Sequence, residues 1–277
     1  MEYTAIDAII EAALKEDMPH GDITSESIIP ARSKSEAIIL TKEEGVLAGI
    51  DVARRVFCKI DQSISFKKNL DDGQIFRKKD TIATLRGPSI SLLKGERTAL
   101  NFLQRMSGIA TTTRRFVRVL EGTKTKILDT RKTTPGLRLL EKYAVKIGGG
   151  VNHRFDLSEM VLIKDNHLKL VGSISQAVMR AKEKVKPGVR IEVEATNLEE
   201  VQEAVRSGAD VVMLDNMSIK KMKEVVKWIK GKIPLEVSGK VTLRRIVEIA
   251  SLGVDYISVG SLTHSYKSVD MSIEFLR

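Results

Sequence analysis

Polar and apolar positions change rhythm about halfway along the chain. Between residues 4 and 16 Ala5, Ile9, Ala12 and Ala13 fall on one helical face, predicting an amphipathic helix that the Pro19–Gly21 turn ends. From about Ser33 to Leu93 the apolar runs are short. Glu36–Leu40, Gly45–Leu47 and Thr81–Leu85, separated by turn-like segments with Gly, Asp and Lys, predict a small sheet, and a helix near Ile50–Cys58 makes this an α+β unit. Gly95–Arg115 reads as a long helix, because Leu100, Leu103, Met106 and Ile109 recur at helical spacing.

In the second half apolar strands alternate with helices. Candidate strands are Lys126–Asp129, Met160–Ile163, Arg190–Val193, Val211–Leu214, Leu235–Val237 and Tyr256–Val259. Leu198–Ser207, Lys220–Ile229 and Leu243–Ser251 have apolar helical faces, with Gly208 and Gly253 placed as C-caps. From Glu194 onward the strand ends recur about every 22 residues, the length of a compact strand–helix repeat, which predicts a parallel sheet closed as a barrel or wound open. The strands deliver Arg131, Lys164, Glu194, Asp215, Ser238 and Gly260 at or just past their C-terminal ends. In a parallel barrel that rim carries the ligand site. The last two strands lead into Ser238-Gly239-Lys240 and Gly260-Ser261-Leu262, hydroxyls and approachable N–H groups ahead of helices, suited to phosphate. In RIEVEAT, Arg190, Glu192 and Glu194 share one strand face and point inward if the apolar face packs on the helices; Glu192, Glu194 and Glu236 then need cationic partners, a metal or a hydrated site, a need that Lys164, Arg131 and a bound divalent ion could meet.

Charge sharpens the picture. The 46 Lys and Arg outnumber the 36 Asp and Glu, for a formal charge of +10, yet the two signs are interleaved and aromatics are scarce at 4%. That argues against nucleic acid, whose single-strand binders set stacking rings among their cations. The basic residues concentrate meaningfully in one place, the stretch from Lys126 to His167, where Arg131, Lys132, His153, Arg154 and Lys164 surround short apolar runs and Gly148–Gly150. A ligand with several negative charges is implied. Cys58 stands alone, so no intrachain disulfide or CxxC motif is possible. The acidic N-terminus lacks signal-peptide character, and no apolar run approaches the roughly 20 residues of a membrane span, so a cytoplasmic protein without membrane attachment is expected.

Several segments, taken in order, resemble the quinolinate phosphoribosyltransferases, also called nicotinate-nucleotide pyrophosphorylases (carboxylating). They are GDIT (21–24), ERTALNFLQRMSGIAT (96–111), KILDTRKTTPGLRLLEKYAVKIGGGVNHRFDL (126–157), LIKDNH (162–167), EVEA (192–195), MLDN (213–216), EVSG (236–239) and VGSLTHS (259–265). The resemblance implies an α/β protein with an N-terminal open α/β sandwich over 1–108, joined by a C-terminal tail of about 266–277, and an incomplete TIM-like barrel of parallel strands over 109–265. It implies a transferase that makes nicotinate mononucleotide, pyrophosphate and carbon dioxide from quinolinate and phosphoribosyl pyrophosphate, with Mg2+, in NAD synthesis. Carried over by position, Arg97, Arg131, Lys132, His153 and Arg154 take the acceptor carboxylates, with Thr130 a further substrate-binding position and Arg97 crossing from a neighbouring subunit of a homodimer or hexamer. Lys132, Lys164, Glu194 and Asp215 form the reacting centre, Glu194 and Asp215 also serving ribose hydroxyls and Mg2+. Ser238, Gly239, Gly260 and Ser261 lie in the loops that hold the 5′-phosphate, and Lys240 and Leu262 are further substrate-binding positions beside them. Lys240 departs from the family, which commonly has a second glycine there; it could add a phosphate contact or crowd the loop. His167 and His264 are expected to orient loops. The alternatives are a ModD-like or other type II phosphoribosyltransferase with another acceptor, and a non-catalytic barrel that binds a phosphorylated ligand.

Overall fold

The computed structural model describes residues 3–276. Its strands, among the described residues, are β1 (Lys34–Thr41), β2 (Gly45–Val46), β3 (Ser65–Lys68), β4 (Ile75–Phe76), β5 (Thr81–Pro88), β6 (Lys126–Leu128), β7 (Val161–Ile163), β8 (Ile191–Ala195), β9 (Val211–Asp215), β10 (Leu235–Ser238), β11 (Tyr256–Ser258) and β12 (Met271–Leu276). The chain divides into two compact units. The first comprises Met1–Arg114, Thr133–Gly149 and Leu262–Arg277, and the second Arg115–Lys132 and Gly150–Ser261.

The first unit is built on an antiparallel sheet in the order β12-β1-β5-β3, with β2 and β4 paired apart from it. Alternation explains how β1 sits: Ala37, Ile39 and Thr41 are buried while the residues between them are only partly covered, a half-buried strand. Helix Tyr3–Asp17 meets helix Ile50–Ile60, with Asp7 holding Arg55 through two hydrogen bonds of 2.7 and 2.6 Å. The long helix starts at Ser89, directly after Pro88, and runs 31 residues to Val119. Gly95 is therefore no terminus. A Cβ there would lie 2.6 Å from the Phe57 ring, so glycine lets two helices approach within this unit. Helices Ile23–Ile28 and Arg138–Ile147, and strand β3, lie in segments whose sequence gave no such prediction.

The second unit is a parallel sheet in the order β6-β11-β10-β9-β8-β7, each predicted strand present within one or two residues. Strand β6, first in the unit, pairs with β11, its last. That pairing curls the sheet round on itself. Val151 adds a parallel bridge to Leu128 on the other side of β6, and among the described residues the seam stays open between Val151 and β7. The result is an incomplete barrel. Helices Leu198–Ser207, Ile219–Ile229 and Leu243–Ser251 follow β8, β9 and β10, capped by Asn197, Ser218 and Thr242, and Gly208 ends the first of them in the left-handed conformation, φ 78°. Because the strands are parallel, their C-terminal ends share one rim. No helix of the described residues is long and apolar enough to cross a membrane.

Candidate active site

A cavity of about 640 Å³ opens at that rim, lined entirely from the second unit. Its walls include Thr130, Arg131 and Lys132 after β6, His153 and Arg154 after the Val151 bridge, and Lys164 and Asp165 after β7. Glu194, Asp215 and Asn216, Glu236, Ser238, Gly239 and Lys240, and Ser258 complete them from the remaining strands. Leu162 and Met213 supply apolar surface. Eleven of the site residues expected from the sequence thus meet in one place, from Thr130 to Lys240. Gly260 and Ser261 follow β11 and belong to the same unit without lining this cavity. Leu262 and Arg97 belong to the first unit, where the Leu262 side chain is fully buried and Arg97 is exposed on the long helix.

Asp129, buried at the end of β6, organises the cationic end. It accepts a 2.9 Å hydrogen bond from the His153 backbone N–H and another from the Asn152 side chain, tying the Asn152–Arg154 segment to β6. Lys132 N–H donates to the Thr130 hydroxyl at 3.1 Å, a turn that orients Arg131 and Lys132. Arg154 is nearly buried, its Nη1 donating to the Met160 carbonyl at 2.8 Å. Desolvation, and then the neighbouring Arg131, lower its pKa, while Glu192, Glu194 and Asp156 oppose the shift. Two guanidinium groups crowded this closely favour an anion between them.

On the facing wall Lys164 pairs with Glu194. The Glu194 carboxyl is raised above its ordinary range, chiefly by burial and further by the charges of Asp215 and Asp165, with Lys164 pulling it back. Lys164 N–H donates to His167 Nδ1 at 2.9 Å, so His167 caps the helix Asp165–Val171, as expected for a loop-orienting residue. His264 lies beside the Ser265 hydroxyl at 2.6 Å. Asn216, in left-handed backbone at φ 51°, donates from Nδ2 to Asp215 at 2.8 Å and from its backbone to Ser238 O at 3.0 Å. It joins two strand ends that the sequence reading treated separately. Gly239 at φ 93° and Lys240 at φ 45° form the next turn, and Arg245 donates to the Lys240 carbonyl at 3.2 Å. Lys240 thus adopts the conformation that glycine would have adopted freely.

Of the three inward glutamates, Glu194 has the expected partner in Lys164, while Glu192 and Glu236 share a histidine. His153 Nε2 lies 2.9 Å from Glu192 and 3.5 Å from Glu236, so this imidazole faces both. Glu192 and Glu236 are 1% and 2% exposed, and Oε1 of each is buried without a hydrogen-bond partner among the described residues. Burial, and then the charge of Glu192, hold the Glu236 carboxyl far above its ordinary range. A carboxyl raised in this way keeps in the fold a proton that the unfolded chain would release. Its contribution to stability is therefore present in acid and lost as pH rises through the raised value. Glu236→Gln, which cannot ionise, is expected to gain stability relative to the parent progressively as pH rises, read as urea midpoints across the pH range; equal midpoints throughout would contradict a protonated Glu236.

A barrel rim with crowded guanidinium groups on one wall, carboxylates on another and a glycine turn beside them defines a protein that binds a small ligand bearing several anionic groups. The model of the quinolinate phosphoribosyl transferase N-terminal domain matches residues 22–107 and that of its C-terminal domain residues 109–274. The chain belongs to the quinolinate phosphoribosyl transferase family. It is 43% identical over 274 residues to the probable nicotinate-nucleotide pyrophosphorylase (carboxylating) of Bacillus subtilis, covering 99% of this chain and 94% of that one. Quinolinate phosphoribosyltransferase (decarboxylating) 1b of Nicotiana tabacum is 40% identical, over 96% of this chain and 81% of its own. The structure of NadC from Streptococcus pyogenes superposes with a TM-score of 0.95 at 40% identity, covering 100% of this chain and 99% of that chain. Human nicotinic acid phosphoribosyltransferase, at 11% identity and a TM-score of 0.66, shares the fold alone.

Proposed function

We propose that the cavity binds quinolinate and phosphoribosyl pyrophosphate and converts them to nicotinate mononucleotide, pyrophosphate and carbon dioxide. The observation that carries this reading is the convergence of Arg131, Lys132, His153 and Arg154 opposite Lys164, Glu194 and Asp215 in one cavity. Quinolinate brings two adjacent carboxylates, and forked guanidinium groups pair with carboxylates bidentately. A ligand with a single carboxylate would leave part of this charge unmatched. The ring nitrogen attacks the anomeric carbon as pyrophosphate departs, and Glu194 and Asp215 face the positive charge that develops on the ribose. Lys164 and Lys132 offset the negative charge of the leaving group. Loss of the carboxyl group next to the now cationic nitrogen needs no protein nucleophile.

Magnesium fits this site, since Glu194 and Asp215 present hard oxygen ligands whose mutual repulsion a cation relieves. Bound there, it would neutralise charge on pyrophosphate. The 5′-phosphate goes to the turn Ser238–Lys240. A Cβ at Gly239 would come within 2.5 Å of the Asn216 side-chain carbon, in backbone that L residues rarely adopt. Gly239→Ala is accordingly expected to raise KM for phosphoribosyl pyrophosphate by about tenfold, with a smaller change for quinolinate, a strain of about 1 kcal/mol or more acting on the loop. Steady-state kinetics with each substrate varied in turn would check it; equal effects on both would contradict a phosphate role for the turn.

Arg97, exposed on the first unit, completes the acceptor site of a neighbouring copy, so the working assembly is a homodimer or a multiple of it. Arg97→Ala and Arg131→Ala homodimers, each inactive, are expected to recover roughly a quarter of parental activity after subunit exchange in equal amounts, because mixed dimers keep one native site. No recovery would place Arg97 in its own subunit's chemistry or outside it. The reaction itself is tested by product identity: a mixture with quinolinate, phosphoribosyl pyrophosphate and magnesium should yield nicotinate mononucleotide by mass spectrometry, and its absence would overturn the assignment.

A further inference from the structure

We propose that Glu236 donates the proton that replaces the departing carboxyl group on the pyridine ring, an inference that rests on the decarboxylating reaction assigned above. In that step the bond from the ring carbon to the carboxyl carbon breaks, its electron pair stays on the ring carbon beside the cationic nitrogen, and carbon dioxide leaves. The Glu236 O–H proton then forms the new C–H bond. Glu236 is left as a carboxylate, which water regains access to and reprotonates once product has gone.

Four observations converge on this residue. Glu236 lines the cavity, whereas Glu192, its partner across His153, does not. It is 2% exposed and its Oε1 has no hydrogen-bond partner among the described residues, so one oxygen stands ready to carry a proton. One imidazole faces two carboxyl groups and can balance the charge of only one. A dicarboxylate acceptor entering the same cavity makes a second bare anion beside it more costly still, so one carboxyl stays neutral. Of the groups facing Glu236, Glu192 and Glu194 on β8 are acidic and Met213, its register partner on β9, is apolar, while a hydrogen bond from Ser258 on β11 pulls the other way without outweighing them. Burial and the Glu192 charge accordingly favour its acid form. Two other proton carriers of the cavity are paired, Lys164 with Glu194 and His153 Nε2 with Glu192.

Rapid-quench single turnovers of the parent enzyme and Glu236→Gln, with quinolinate, phosphoribosyl pyrophosphate and magnesium, would time pyrophosphate and nicotinate mononucleotide separately across pH. The parent should lose the mononucleotide step as pH rises, because the acid form of Glu236 is consumed. In Glu236→Gln the pyrophosphate burst should stay near the parental rate, while mononucleotide formation falls about a hundredfold and its alkaline limb disappears. A variant with parental rates for both products overturns the proposal, as does an equal slowing of both with the limb unchanged. A flat alkaline profile in the parent overturns it without any variant. So does a divalent ion that survives dialysis against chelator and is lost in Glu236→Gln, since His153, Glu192 and Glu236 bring ligand atoms within 4.8 Å of one another. Failure of the parent to release carbon dioxide from quinolinate at all would instead sink the assigned reaction.

Discussion

Arg131→Ala is expected to lower kcat/KM for quinolinate by about a hundredfold or more, equivalent to roughly 3 kcal/mol, the scale for truncating one member of a desolvated charge pair. Arg131 sits at the end of β6 beside Arg154, whose guanidinium is already disfavoured by burial and by Arg131 itself. Nearby Glu192, Glu194 and Asp156 offset part of this repulsion, and in the proposed reaction the substrate's carboxylates would pair with the same guanidinium groups. Arg131→Lys keeps the charge and loses the fork, so its kcat/KM should fall between parent and alanine variant. Removing Arg131 also relieves Arg154, so the fold should be no less stable. A drop in activity that tracks a drop in melting temperature would point to a structural role instead. Titration of quinolinate binding by calorimetry separates the two.

Lys164→Ala should cost about two to three orders of magnitude in kcat, the range for removing one preorganised electrostatic group from a reacting centre. Lys164 is 43% exposed on its side chain while its partner Glu194 is 15% exposed, so screening limits what the pair contributes to stability. Its value lies in charge placement. Glu194 acts as a carboxylate, and its pKa is already raised by burial and by Asp215, with Lys164 opposing. Activity is therefore lost as pH falls through that raised value. Without Lys164 the value climbs further, and the acid limb of the kcat profile should move to higher pH. A variant whose rate falls while its acid limb stays in place would show that Lys164 acts on the leaving group alone.

The second unit was the more legible half. Its strands are short and mostly apolar, and β8, β9 and β10 are each followed closely by an amphipathic helix, the pattern of a parallel sheet covered by helices. Even the inward direction of Glu192, Glu194 and Glu236 could be read from strand alternation. Lys164 was a foreseeable partner for Glu194, but the histidine shared by Glu192 and Glu236 was not. His153 lies far from both Glu192 and Glu236 in the chain and reaches them only because β6 and β11 pair and Val151 bridges back onto β6. Asp129 and Asn216 were missed for a related reason: their effect is to join two strand ends, a relation absent from local pattern. In the first unit Gly95 suggested a helix start, although the helix begins at Ser89 and the glycine serves close packing on Phe57. Strand β3, SFKK, has only one apolar residue and gave no alternation to detect.

Quinolinate labelled in the carboxyl group next to the ring nitrogen, incubated with phosphoribosyl pyrophosphate and magnesium, tests the central claim most directly. The account predicts labelled carbon dioxide and pyrophosphate in equal amounts, requiring both substrates and nearly abolished in Arg131→Ala. Pyrophosphate formed from nicotinate or another acceptor, with no label released from quinolinate, would contradict it.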